Sequence, residues 1–429
     1  MKKEYKKLSQ TAIVGSLLCL SMACGGGSVG EAILEAPSLI DENLAFEKGN
    51  SEGSFQVLEK EVFEGKIFDY VNYSITLIPE HLKSETGPFK DASEADNTPE
   101  DNKITNEGAL LGRVLFYDKN LSLNKKISCS SCHQQKNGFS DKDRFSKGFA
   151  GERTDRHSPG LTQARYYEPG KYFWDERAET LEAQVLMPIQ NEVEMGMTLE
   201  GLVERLEKID YYSSLFTQAF GDGVISSERI SLALAQFIRS MVSYQSPFDK
   251  AFDASGLPQF DENLSDEENL GLDLFLGKAS VNGEGINCSI CHGTTAIVSS
   301  RVANIGLPNN TDIGAGDSKF KAPSLRNVAV RKNLMHDGRF ESIRDVIDHY
   351  SQNIEDDPNL NRFLKNENEE PLKPNYTSTE KDALIAFLKT LTDETFLKAP
   401  QFSNPFKKHK APKGVQNPKN SRPLPRGQR

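Results

Sequence analysis

Apolar residues fall at helical spacing in five stretches of the chain. Leu111, Leu115 and Phe116 form one short stripe, and Leu270, Leu274 and Phe275 repeat it. Ile230, Leu234, Phe237, Ile238 and Met241 form a longer stripe behind Ser226 and Ser227, either of which can cap a helix. Leu384, Ile385, Phe387, Leu388 and Leu391 make another, and Phe55, Leu58, Val62, Phe63, Ile67 and Val71 suggest a packed helix near the N-terminus. Ser265 followed by Glu268 predicts a capping box just before the Leu270 stripe. No run of Val, Ile or Thr alternates with polar residues for more than a few positions, so the expected fold is mostly α, with long loops.

Between these stripes the composition changes. Residues 25–54 are rich in Gly, Ser and Glu and read as a tether; residues 83–103 turn acidic and Pro/Asn-rich, as a linker or surface loop would. Residues 245–262 hold Pro and Gly and read as a connector. Residues 399–429 carry eight Lys/Arg, repeated Pro and no acid, which predicts a disordered basic tail.

Two stripes belong to a larger repeat. Leu111-Gly112-x-x-Leu115-Phe116 precedes Cys129-Ser-Ser-Cys132-His133 by the same distance as Leu270-Gly271-x-x-Leu274-Phe275 precedes Cys288-Ser-Ile-Cys291-His292. A shared offset across a helix pattern and a chemical motif marks a duplicated unit. Each C-x-x-C-H can attach one haem c: two thiols take up the vinyl groups, and the following imidazole binds iron. A zinc knuckle wants four ligands of similar type, a redox C-x-x-C needs no histidine after it, and a disulfide explains neither histidine. The expected architecture is therefore two tandem cytochrome c-like haem domains, over residues 104–245 and 263–395.

Four of the six cysteines serve these motifs; Cys19 and Cys24 belong to the N-terminal segment. Residues 1–24 combine Lys2, Lys3, Lys6 and Lys7 with an apolar run to Leu20 and a small residue before Cys24. That pattern predicts a signal peptide, and Cys24 followed by three glycines resembles a lipoprotein signal despite Ser21. An exported, lipid-anchored protein of the periplasm or cell envelope is expected. The net charge is −11, and without the tail the body stands at −19. This argues against nucleic acid and suits a basic redox partner, or simply keeps the protein in solution.

The stretch between the motifs adds a resemblance. Tyr172-Phe173-Trp174-Asp175-Glu176-Arg177, then Leu181-Glu182-x-Gln184, Pro188 and Glu194-Met195-Gly196, stand in that order. With Arg156–Leu161, Phe320–Asn327 and Met335–Arg339, they resemble the bacterial dihaem cytochrome c peroxidase/MauG family from about Ile104 to Leu391. The resemblance implies a peroxidatic haem on Cys129, Cys132 and His133, with Gln184 and Glu194 on its open face. It implies an electron-entry haem on Cys288, Cys291 and His292, and Trp174, the only tryptophan, as a relay between them. In such a site a carboxylate moves the peroxide proton and an amide orients the substrate.

Two positions depart from the peroxidase pattern. Phe149 stands where many members carry a displaceable histidine ligand, which implies an open first iron. His157 stands where an asparagine contacts calcium between the domains; imidazole is a poor calcium ligand, so that site is in doubt. On the second haem the usual Met is replaced by Tyr350, the MauG-type arrangement, with Met335 and His349 as the competing ligands. The expected activity is reduction of hydrogen peroxide to water with electrons from a small donor such as cytochrome c. The alternatives are MauG-like oxidation of a partner protein and a non-catalytic dihaem electron carrier. The resemblance also leaves room for a homodimer.

Overall fold

A computed structural model of the chain describes residues 68–298 and 300–406. The signal segment, the tether, most of the N-terminal stripe and the tail beyond Phe406 lie outside these residues.

The fold is mostly helical. Eight helices of eight residues or more follow in order among the described residues: α1 Asn106–Tyr117, α2 Leu181–Gln190, α3 Leu199–Leu206, α4 Asp210–Phe220, α5 Ser227–Arg239, α6 Asp266–Phe275, α7 Ile343–Gln352 and α8 Ser378–Thr390. The only sheet among them pairs two-residue strands, β1 Val302–Ala303 and β2 Phe320–Lys321, antiparallel with Val302 opposite Lys321. The predicted caps are in place: Ser226 caps α5, and Ser265 with Glu268 forms the capping box of α6.

One helix pair is built twice. α1 packs on α5, and α6 packs on α8. A Cβ on Gly112 would stand 2.0 Å from the Ala233 carbonyl oxygen and 2.8 Å from Phe237 Cβ. A Cβ on Gly271 would stand 1.9 Å from the Ala383 oxygen and 2.8 Å from Phe387 Cβ. Both glycines exist so that two helix backbones can touch. The halves also differ: α3 and α4 lie between α2 and α5, whereas no α-helix lies between α7 and α8 among the described residues. Leu270 is accordingly exposed while its counterpart Leu111 is buried.

Two stretches depart from their composition. Residues 83–103 are more than a linker: Phe89, Ala92 and Ala95 are buried, Lys90 N–H donates to the Gly293 carbonyl (2.9 Å), and the Lys90 carbonyl accepts from Thr295 N–H (3.0 Å). The start of the basic tail is packed, not disordered. Phe402 is fully buried in the first core, the Tyr117 hydroxyl donates to its carbonyl (2.6 Å), and Arg113 Nε donates to the Ser403 carbonyl (2.7 Å). A few apolar anchors suffice to order a polar segment.

Candidate functional site

Each C-x-x-C-H opens into its own cavity. The first, of about 760 Å³, is lined by Cys129, Cys132 and His133 and also by Trp174, Gln184 and Glu194. The second, of about 210 Å³, is lined by Cys288, Cys291, His292, Met335 and Tyr350. All the predicted site residues therefore reach the cavities to which the resemblance assigned them. Trp174 lines both.

The donor set fits haem c. All four motif thiols are free, and burial pushes Cys129, Cys132 and Cys288 up to about 12. They are thus neutral thiols, two beside each histidine. His133 Nδ1–H donates to the carbonyls of Phe139 (2.9 Å) and Pro159 (3.1 Å), which fixes the tautomer and leaves Nε2 as the lone pair for a metal. Burial lowers the His133 pKa and takes His292 down to about 4, so both rings are neutral. His292 is buried beside the Pro323 backbone, which opposes that shift, as Pro159 stands beside His133.

The residues opposite the motifs come from two matched helices. Thr180 caps α2 and Ser342 caps α7, and both helices run ten residues. Ahead of them stand Trp174-Asp175-Glu176-Arg177 and His336-Asp337-Gly338-Arg339. In each, the arginine donates to its own aspartate, Arg177 to Asp175 (2.8 Å) and Arg339 to Asp337 (2.8 Å). Phe173 and Met335, one before each set, both take left-handed backbone (φ 70° and 73°). Counting from the caps, Leu181, Gln184, Val185 and Pro188 line the first cavity, and Ile343, Val346, Ile347 and Tyr350 line the second. Gln184 is thus matched by Val346, and Pro188 by Tyr350. This second repeat was readable in the sequence from the two D-x-R triplets and their caps.

Glu194 sits in a turn after α2. The Asn191 side chain accepts from the N–H groups of Val193 (2.9 Å) and Glu194 (3.1 Å), and the Glu194 carbonyl accepts from Phe149 N–H (3.0 Å). Glu194 is not a helix cap, since Thr198 caps α3. Burial raises its pKa above the ordinary carboxylate value, with Arg177 opposing. Phe149 does not line the cavity; its ring rests where a Cβ on Gly196 would stand, 2.4 Å away.

Trp174 is held at both ends. Its Nε1–H donates to the His157 carbonyl (2.7 Å), and its own carbonyl accepts from Lys321 N–H (2.8 Å). His157 is a structural joint: its N–H donates to the His336 carbonyl (2.7 Å) and its Nδ1–H to the Arg144 carbonyl (3.0 Å). Among the described residues no group of three or more His, Cys, Asp or Glu is gathered to hold a metal ion.

At the second cavity the competing ligands separate. His349 Nε2–H donates to the Ile305 carbonyl (2.9 Å), and the ring does not reach the cavity. Tyr350 does, and burial raises its pKa, with the thiols of Cys288 and Cys291 pushing the same way. Met335 lines the same space. Sequence reasoning missed three residues at the cavity walls: Tyr167, Lys321 and Arg331.

Comparison with known proteins follows the same lines. A family model described as di-haem cytochrome c peroxidase matches residues 106–255 and 265–404. The methylamine utilization protein MauG of Methylorubrum extorquens is 34% identical over 308 residues, covering 69% of this chain and 81% of that protein. The cytochrome c551 peroxidase of Nitrosomonas europaea is 28% identical over 300 residues, covering 67% and 80%. The crystal structure of a MauG-like protein associated with microbial copper homeostasis matches with a TM-score of 0.60 at 31% identity, over 72% of this chain and 96% of that one. No helix among the described residues is long and apolar enough to cross a membrane.

Proposed function

We infer the function from one premise: the chain belongs to the di-haem cytochrome c peroxidase family. Its two similar halves then serve as tandem haem domains, one c-type haem on Cys129, Cys132 and His133 and the other on Cys288, Cys291 and His292. Haem iron, when bound, supplies the site at which peroxide is activated and the electrons that reduce it.

The proposed activity is reduction of hydrogen peroxide to water at the first site. The observation that carries it is that Glu194 and Gln184 line the cavity of Cys129, Cys132 and His133, while the second cavity has Val346 in place of the amide. Glu194 would take a proton from one peroxide oxygen and return it to the other, so that the O–O bond breaks and that oxygen leaves as water; two electrons from the donor and two protons turn the remaining oxygen into the second water. Gln184 orients the substrate. Pro188 has no donor atom at the position where Tyr350 stands in the other half, so α2 would offer a haem in the first cavity no ligand there. Trp174, at the wall of both cavities, relays electrons from the second haem. The donor is a small redox protein such as cytochrome c, and covalent haem accords with export; a lipid anchor rests on Cys24 and its preceding apolar run alone.

A second reading is oxidation of a partner protein, as in a MauG-type enzyme. Tyr350 at the second cavity favours it, because a phenolate ligand stabilises oxidised iron. The wild-type protein would then hold two oxidising equivalents for seconds or longer after peroxide, a spectral observation that separates the two readings.

Glu194→Gln tests the shared step. The variant should keep both haems and lose about 10²–10⁴-fold in peroxide turnover. The wild-type acid limb should lie above the ordinary carboxylate range: the base must be ionised, its pKa is raised, and activity is lost as pH falls through that value. The limb should vanish in the variant. Near-normal turnover by Glu194→Gln would remove Glu194 from the chemistry.

A further inference from the structure

The wall of the second cavity is unbalanced in charge. Among the described residues that line it, Lys321 and Arg331 are cationic and none is Asp or Glu. The first cavity mixes both signs, with Glu194, Asp175 and Asp312 facing Arg156 and Arg177.

Arg331 is the stronger anomaly. Its Nη2 donates to the carbonyls of Ser324 (2.9 Å) and Arg326 (2.7 Å), while its Nε is buried without a partner. Burial alone sets its pKa, lowering it to about 10; no carboxylate raises it. The site is built to receive this side chain: a Cβ on Gly160 would fall 3.0 Å from both Cζ and Nε. In the first half the matching position, eight residues after the proline facing the histidine, is Tyr167, which is neutral and bonded to Glu176. Lys321 is milder. Its Nζ stands 3.5 Å from the Tyr167 ring centroid and donates to the Lys171 carbonyl (3.2 Å), and burial brings it down to about 7.

A buried guanidinium without an anion is costly and is retained when something negative answers it. We propose that Arg331 is the counter-charge of the second haem, pairing with the anionic groups that cofactor brings and raising its reduction potential against the pull of Tyr350. The proposal rests on the reading that this cavity holds haem c, whose two carboxylate side chains provide the missing negative charge. A fixed positive charge beside the iron favours the reduced state, which carries one positive charge fewer. The two residues thus act in opposite directions: the phenolate lowers the potential, and the guanidinium limits how far it falls. Arg331 is a positioning residue and takes no part in peroxide cleavage.

The test uses the holoprotein, with the haem count fixed first by mass and absorbance. Wild type carrying fewer than two haems would overturn the haem reading itself, before any potential is measured. With both attached, spectroelectrochemical titration of Arg331→Gln should shift the second haem's ferric/ferrous ratio about tenfold toward ferric at fixed poise, about 59 mV for a one-electron couple. The first haem should stay where it is, and Arg331→Lys should return the second toward wild type. Unchanged potentials in Arg331→Gln, or equal shifts at both haems, overturn the proposal. If Arg331→Gln does not accumulate, Arg331→His places a titratable charge there. Its second-haem potential should fall as pH rises through the imidazole range while wild type stays flat, and a flat profile in the variant also overturns the proposal.

Discussion

Helix α2 offers Leu181, Gln184, Val185 and Pro188 to the first cavity, and α7 offers Ile343, Val346, Ile347 and Tyr350 to the second at the same four positions. Two of the four pairs conserve apolar bulk and two change chemistry. The conserved pair keeps the helix seated. The changed pair decides what can reach the space: an amide and a proline on one side, an aliphatic residue and a phenol on the other. On the proposed reading, one scaffold would yield an open site and a closed one through two side chains on one helix face.

The largest effect should come from making the first half resemble the second. Pro188→Tyr restores a backbone N–H and brings a phenol to the first cavity. We expect peroxide turnover to fall to background and the first haem, expected to be high-spin in the wild type, to give a low-spin EPR signal. An unchanged spectrum would show that α2 and α7 do not face their cavities alike. The reverse change is smaller. Tyr350→Met replaces an anionic oxygen with a thioether, so the second haem's potential should rise, by at least about tenfold in its redox equilibrium or about 59 mV, with a His–Met spectrum. No change in that spectrum would reassign the ligand to Met335.

The smallest effect probes what the halves share. Gly112→Ala and Gly271→Ala each drive a methyl into a facing carbonyl, at 2.0 Å and 1.9 Å before relaxation. Each should cost about 1–3 kcal/mol in thermal or denaturant unfolding, similarly in both halves. Tolerance at Gly271 alone would mean that α6 can shift where α1 cannot, which the exposure of Leu270 would explain.

The helix pairs were legible in the sequence because their stripes, glycines and caps are local signals that survive packing. Gln184, Glu194 and Trp174 were legible for a different reason: the order of motifs carries them, and no periodicity singles them out. What escaped was long-range. Lys90 lies in an acidic stretch with few apolar residues, yet it bonds beside Cys288-Ser-Ile-Cys291-His292 from more than two hundred positions away. Phe402 lies in a tail read as disordered because charge and proline dominate its composition, and one buried ring outweighed them. Arg331 escaped because its significance is a missing neighbour, and a sequence cannot display the absence of a nearby carboxylate.

The packing of Phe402 has a consequence for how the chain comes into being. The first core holds Tyr70 and Tyr73 from one end and Phe396 and Phe402 from the other, and the Tyr70 hydroxyl donates to the Gln401 carbonyl (2.8 Å) across 331 positions. A ribosome releases the N-terminal half long before those partners exist, so that half must wait, incompletely closed, until nearly the last described residue has been made. The second core draws its helices from within residues 248–391 and needs no such late arrival, apart from Phe89, which is already made. The half that is synthesised first is therefore the half whose core is completed by the later residues, Phe402 against Leu391.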